Sequence, residues 1–552
     1  MQRIPKQPKA MAQILNLGLV ACVIAAMLVW TTRPVHGADR DRLVSEAFAS
    51  AQWILATTAA RAVAQVGARL SAGDTDLGKT IRQRQDLENE LNAAWKSANN
   101  LTGDKANHDL ARASIPKLTS DLKILDEAIR SGFPDYAQLA NPTPMDIEEV
   151  QRRLDPDEVL LLYLVDRNAT YIWAISDTDY RWERAEIGRI QLDAMVAKLR
   201  RTLDPTQTTR GFESEAGDAV SVSSNFDLEL AYELHDQLIR PLQGVMASKT
   251  HVYTVLDGAL TSLPFSVLAR RPDAGKRDHQ NINWMARDFA FTTLTAVSSL
   301  RHRALGRENQ REISFLGVGD PVLQGAAGHD TVQVASRGTA SFFKGDLANV
   351  DAIRSLEPLP GTRRELTQIS SVLGTDRAEI VLGANATEQQ IKALDLSKYS
   401  VLAFATHGLV TGELQGLAEP ALVLTPPMQP TEQDDGLLTV SEIADLNLTA
   451  DWVILSACNT AAGDGTPGAT GLSGLARAFL YAGARSILVS HWPVRDDAAA
   501  LLTVGTLEAL ENNPKIRRSE ALRQSMLNLI DSTEQPALQH PSAWAPFVIV
   551  GS

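Results

Sequence analysis

A chain of 552 residues is longer than a single hydrophobic core can organise, so it must divide into two to four domains. Hydrophobic residues at 44% and charged residues at 22% exclude a disordered or fibrous chain. A formal charge of −13 excludes any global attraction to the phosphate backbone, so no nucleic-acid partner is expected.

At the N-terminus Arg3, Lys6 and Lys9 precede an uncharged apolar run, residues 14–30, followed by Val35, His36, Gly37 and Ala38. A basic flank, an apolar stretch and small residues around a cut after Gly37 fit a secretory signal over 1–37. The run also reaches the lower length limit of a membrane helix, about 17 residues, so an uncleaved anchor is the alternative. The chain is therefore expected to be exported, to the periplasm or the extracellular space, or held on the inner membrane through residues 14–30. Cys22 reads as one apolar member of that run. Its removal leaves Cys458 as the single cysteine, with no intramolecular disulfide to form.

Residues 38–132 form a helical region, a hairpin or small bundle. Small and apolar positions recur there every three to four residues, as at Leu43, Ala47, Ala51 and Ile54. No 34-residue self-similarity supports a regular tetratricopeptide array. Residues 133–225 begin with a proline-rich linker and continue as a small β element, a hairpin of runs 159–164 and 170–175. Residues 226–552 alternate short apolar runs with helical ones: 251–256, 313–318, 401–406, 452–456, 486–490 and 547–550. That alternation predicts an α/β layered domain with a mostly parallel sheet, its catalytic half at about 311–552. In such sheets chemistry gathers at the carboxyl ends of the strands.

Two of those ends stand out. The run VLAFATHG (401–408) delivers His407, and WVILSACNT (452–460) delivers Cys458 into a glycine-rich loop. Neighbouring parallel strands lie about 4.8 Å apart, so side chains at adjacent ends can meet. A thiol with a reference pKa of about 8.5 is mostly protonated at neutral pH, and an imidazole that takes its proton makes it a nucleophile. The backbone N–H groups of Gly408 and Cys458 are placed to hold the oxyanion, and Gly408 has no side chain to block the approach. Each residue alone has a plainer reading, a buried hydrophobe for the thiol and a hydrogen-bonded strand end for the imidazole. Their joint appearance at two successive strand ends favours catalysis. His491, also after an apolar strand, reads as structural or as a secondary candidate.

The string 463–468 matches GxGxxG, but it stands five residues past the strand, contains Pro467 and has no acidic partner about 20 residues on. HExxH, paired CxxC, Walker lysine and EF-hand patterns do not occur in the sequence. No cofactor and no metal are therefore expected.

The strings DGALTSLPFSVL (257–268), GVGDP (317–321), LPGTRREL (359–366), GANATEQQIK (383–392), FATHG (404–408), LSACNTA (455–461), GLARAFLYAGARSILVSHWPV (474–494) and HPSAWAPFVIVG (540–551) together resemble the CHAT family. These are caspase- and separase-like domains often joined to tetratricopeptide repeats. The likeness covers roughly residues 226–551, and the helical piece upstream resembles what precedes the domain in related bacterial proteins. It implies a caspase-like three-layer fold and a cysteine endopeptidase that cuts protein substrates with a His407–Cys458 dyad. It also implies an acidic or basic residue in the first specificity pocket. Asp320, Asp496 and Asp497 are candidates to line that pocket and to select a basic residue before the cut, and the two later aspartates equally suit the cap of a helix from Ala498. The sequence departs from the family at His491, where leucine is common, beside the expected substrate cleft. The N-terminal helices would bind a regulatory protein, position substrate or restrain the protease. The alternative is a catalytically silent interaction or sensor scaffold.

Overall fold

A computed structural model describes residues 37–55, 114–125, 144–204, 226–271, 282–301, 314–324, 350–409, 420–431, 434–456 and 474–551, with a few isolated positions between them. The apolar runs become strands: β1 (Glu158–Val165), β2 (Thr170–Ser176), β3 (Tyr180–Ala185), β4 (His251–Val255), β5 (Ala290–Thr293), β6 (Phe315–Pro321), β7 (Ala378–Gly383) and β8 (Val401–Ala405). They continue as β9 (Gly408–Leu409), β10 (Ala421–Val423), β11 (Leu437–Thr439), β12 (Trp452–Leu455), β13 (Ser486–Ser490) and β14 (Phe547–Gly551). Strands β9, β10 and β11 make a small sheet of their own, and the others form one 11-stranded sheet in the order β7-β6-β8-β12-β13-β14-β5-β4-β1-β2-β3. Its neighbours run parallel except at β13–β14 and within the β1-β2-β3 meander.

The helices that cover the sheet include α1 (Gly37–Leu55), α2 (Arg189–Leu203), α3 (Leu228–Leu238), α4 (Pro360–Leu373), α5 (Glu388–Ala393), α6 (Val440–Asp445), α7 (Gly474–Ala482), α8 (Asp496–Asn512) and α9 (Arg518–Ile530). Because parallel strands are covered on both faces, they read as unbroken apolar runs rather than alternating ones. All five residues of β8 are buried. Alternate residues serve opposite layers: Val401, Ala403 and Ala405 join a core with α2, α3, α4, α8 and α9, while Leu402 and Phe404 face α5, α6 and α7.

The first of these cores spans the whole sheet, from Tyr163 of β1 to Phe315 of β6. The other face is covered in two patches. Helices α5, α6 and α7 cover β6, β8, β12 and β13, and α1 covers β1, β2 and β4. This is the α/β, three-layered, mostly parallel arrangement expected from the sequence.

The hairpin expected at 159–175 forms as β1 and β2, and β1 pairs parallel with β4, so the β element joins the sheet of the residues that follow. Within the helical region α1 is described, and it lies directly on that element. Phe48 is fully buried, its ring 6.1 Å from that of Trp173, and the Gln52 side-chain amide exchanges two hydrogen bonds with the Met145 backbone, 2.8 and 2.9 Å. Residues 14–30 and the linker at 133–143 lie outside the described residues, among which no helix is long and apolar enough to cross a membrane.

Candidate active site

β8 and β12 are neighbours, as the sequence led us to expect, paired in parallel register with Val401 opposite Trp452 and Phe404 opposite Leu455. Beyond Ala405 the chain is turned at the sheet edge by β9 and β10. The Thr406 hydroxyl donates to the Val423 carbonyl, and the Val423 amide donates to the His407 carbonyl at 2.9 Å. That bond makes Gly408–Leu422 a non-hydrogen-bonded pair, in which the Gly408 N–H points away from β10.

The His407 ring is held from a different direction. Its Nε2 lies 2.7 Å from the carbonyl oxygen of Glu357, just before α4. A carbonyl only accepts, so Nε2 carries a proton, and in the neutral ring Nδ1 then presents the lone pair. α4 starts at Pro360, whose fixed φ suits a first helical position. It packs close to the sheet because β6 carries Gly319 there: a Cβ at that position would stand 2.6 Å from the Ala405 carbonyl oxygen and 2.8 Å from Leu366.

Just past β12, the last residue described before residue 474 is Ser456. Its hydroxyl donates to Glu365 Oε2 of α4 at 3.1 Å, and Glu365 Oε1 accepts from Thr503 of α8 at 2.8 Å. Cys458 lies outside the described residues, as does the glycine-rich loop with the 463–468 string.

Asp320 reaches the same edge at the end of β6, on the other side of β8. Its φ of +47° is unusual for a residue with a side chain. Its N–H donates to Thr362 Oγ1 at 3.1 Å, and its carboxylate pairs with Arg363 at 2.6 Å. Asp497 sits in the first turn of α8, bound through both carboxylate oxygens to Arg495 at 3.0 and 2.6 Å. Asp496 opens that helix, and its side chain lies outside the described ones. The edge therefore gathers His407, Gly408, Asp320 and Ser456, and the α8 aspartates stand at a helix start.

His491 is an interior residue. Its Nδ1 is buried with no hydrogen-bond partner, and burial, with the nearby Arg200 charge, pushes its pKa down to about 3. It contributes its backbone to the core, its carbonyl accepting from the buried Arg200 guanidinium at 2.6 Å. Among the described residues no cluster of His, Cys, Asp and Glu is arranged to hold a metal ion.

Glu357, Thr362, Arg363 and Glu365 are the contacts that sequence reasoning did not assign. Thr362, Arg363 and Glu365 lie in LPGTRREL, which carries no indication of which strand ends it touches, and Glu357 lies just before that string.

The chain is similar to curated proteins and to solved structures. Tetratricopeptide repeat protein 28 of Mus musculus is 31% identical over 229 residues, covering 35% of this chain and 9% of that protein. Its Homo sapiens counterpart is 29% identical over 229 residues, with 35% and 8% covered. The alignment thus takes in less than a tenth of either relative. Among solved structures, the Saccharomyces cerevisiae separase–securin complex aligns with 86% of this chain and 37% of that chain, at 12% identity and a TM-score of 0.38. Residues 228–552, from the first turn of α3 through β14, match the CHAT domain. That match takes in more than half of the sequence, and the chain belongs to the CHAT domain family.

Proposed function

We propose that the protein is a cysteine endopeptidase in which His407 and Cys458 form the dyad. The observation that carries this is the register of the two strands. Phe404 stands opposite Leu455 in parallel register, so the segments that continue to His407 and toward Cys458 leave β8 and β12 side by side at one edge of the sheet. The tautomer fixed by Glu357 leaves His407 Nδ1 to accept the thiol proton.

The thiolate then attacks the scissile carbonyl carbon. The Gly408 N–H, turned away from β10, and the Cys458 N–H receive the developing oxyanion. His407 returns the proton to the departing amine, and water, activated by the same ring, hydrolyses the thioester. Asp320, together with Asp496 and Asp497 at the start of α8, is proposed to line the first specificity pocket and favour a basic residue before the cut. Profiling with Arg, Lys and Asp peptides tests this, and best cleavage of Asp peptides would reject it.

Export, or anchoring to the inner membrane through residues 14–30, is proposed from the signal-like segment 1–37, and the N-terminal helices are proposed to bind a regulatory protein, to position the protein substrate or to restrain the protease. The relatives named for tetratricopeptide repeats lend weight to such protein binding, and they also favour a second reading, a catalytically silent scaffold. Alkylation separates the two. A dyad thiol reacts with iodoacetamide at pH 6 far faster than a free thiol, whereas an inert interior cysteine reacts only on unfolding. In parallel, Cys458→Ala should abolish self-cleavage or peptide cleavage while the circular dichroism spectrum is retained. Undiminished cleavage in that variant would refute the peptidase reading.

A further inference from the structure

The polar contacts at the active edge converge on one short stretch, residues 357–365 (EPLPGTRRE). The Glu357 carbonyl holds the His407 ring at the end of β8. Thr362 and Arg363 hold Asp320 at the end of β6. Glu365 holds Ser456 at the end of β12. Three consecutive parallel strands are thus tied to one element, which is itself fixed by Leu366 and Ile369 in the core and by the Thr503 bond to α8.

We infer that this stretch is a bracket that aligns the two members of the dyad, with Glu365 as the positioning residue on the nucleophile side. The inference rests on the dyad reading above. Glu365 is only 3% exposed, and a carboxylate in such a place is costly to desolvate, so packing alone does not account for it. It grips Ser456, two residues before Cys458 in the chain. Glu357, at the other end of the stretch, grips the base. Shifting the strand end relative to the histidine alters the thiol–imidazole distance, and a misplacement near 1 Å costs on the order of 10²-fold in rate. A mere latch between α4 and α8 would affect stability and leave the thiol chemistry alone.

The test is the pH dependence of iodoacetamide labelling at Cys458, read by peptide mass mapping on the full chain. It compares the wild type with His407→Ala, Glu365→Gln and Ser456→Ala. The wild type should label with a midpoint well below the free-thiol value of about 8.5. In Glu365→Gln and Ser456→Ala the midpoint should move toward that of His407→Ala, and labelling at pH 6 should slow by roughly 10-fold or more. The double variant should be no worse than either single, because both remove one contact. With a cleaved peptide, kcat should fall while KM holds.

A wild-type labelling profile in both single variants, with only the melting temperature lowered, would leave Glu365 a latch and overturn the inference. Coincident profiles for the wild type and His407→Ala would instead remove the dyad, and the bracket with it. Ser456→Ala, a small change at a partly exposed site, keeps the test decisive should Glu365→Gln fold poorly.

Discussion

Burial keeps the His491 imidazole neutral down to about pH 3, whereas in the unfolded chain it titrates near 6.5. Below pH 6.5 the unfolded state therefore binds a proton that the folded state refuses, and stability is lost as the pH falls from there toward 3. Between pH 7 and 5 this one group costs about 2 kcal/mol. His491→Leu should remove that slope, and it should also relieve the buried unpaired Nδ1. Urea denaturation at pH 7 and pH 5 measures both effects, and an unchanged acid slope in the variant would contradict the assignment. At this scale the sequence exposes residues by their exceptional chemistry. A thiol and a histidine, each following an apolar strand, are visible because few residue types can do what they do. Ser456 and Glu365 are ordinary residue types, and only tertiary contact gives them meaning. Asp320 was legible as a strand-end carboxylate, but its ion pair with Arg363 was not, because the partner comes from a different element.

Among the elements, the small sheet that carries Gly408 depends on a charged cluster beneath it. Lys392 of α5 reaches both Glu388 and Glu442, and Glu388 Oε2 accepts the amides of Asp435 and Gly436 at 2.9 and 3.3 Å, where the chain enters β11. Burial raises the Glu388 carboxyl, and the lysine offsets part of that cost. Glu442 in addition closes a capping box with Thr439 at the start of α6. Lys392→Ala removes the cation shared by Glu388 and Glu442 and should destabilise the protein by about 2–3 kcal/mol, measured by urea unfolding. Lys392→Met combined with Glu388→Gln should recover much of the loss, which a purely steric role for the lysine would not allow. Strands were the most legible elements: β8, β12, β13 and β14 fall within a residue of the apolar runs that predict them. β7 escaped notice because, at the sheet edge, its Ala378, Ile380 and Leu382 are only half-buried and its apolar run is broken by the exposed Glu379.

For the whole molecule, the fold class was legible from alternation alone, but the extent of the sheet was not. Nothing in the hairpin sequence says that β1 will hydrogen-bond β4, a strand about 90 residues away, because main-chain pairing leaves no mark on side-chain composition. The same blindness hid the role of α1, whose Phe48 fills the face above Trp173. Phe48→Ala should cost about 3–4 kcal/mol by chemical denaturation, and a loss below about 1 kcal/mol would mean that α1 rides loosely on the sheet. Strand direction reverses once in the body of the sheet, between β13 and β14, where Ser486 faces Gly551 and Ser490 faces Phe547. Gly551 therefore sits at the margin opposite the one that bears His407. An affinity handle joined behind Gly551 leaves from that far margin, and tethering the protein to a surface by this end keeps the histidine side open to a bulky client.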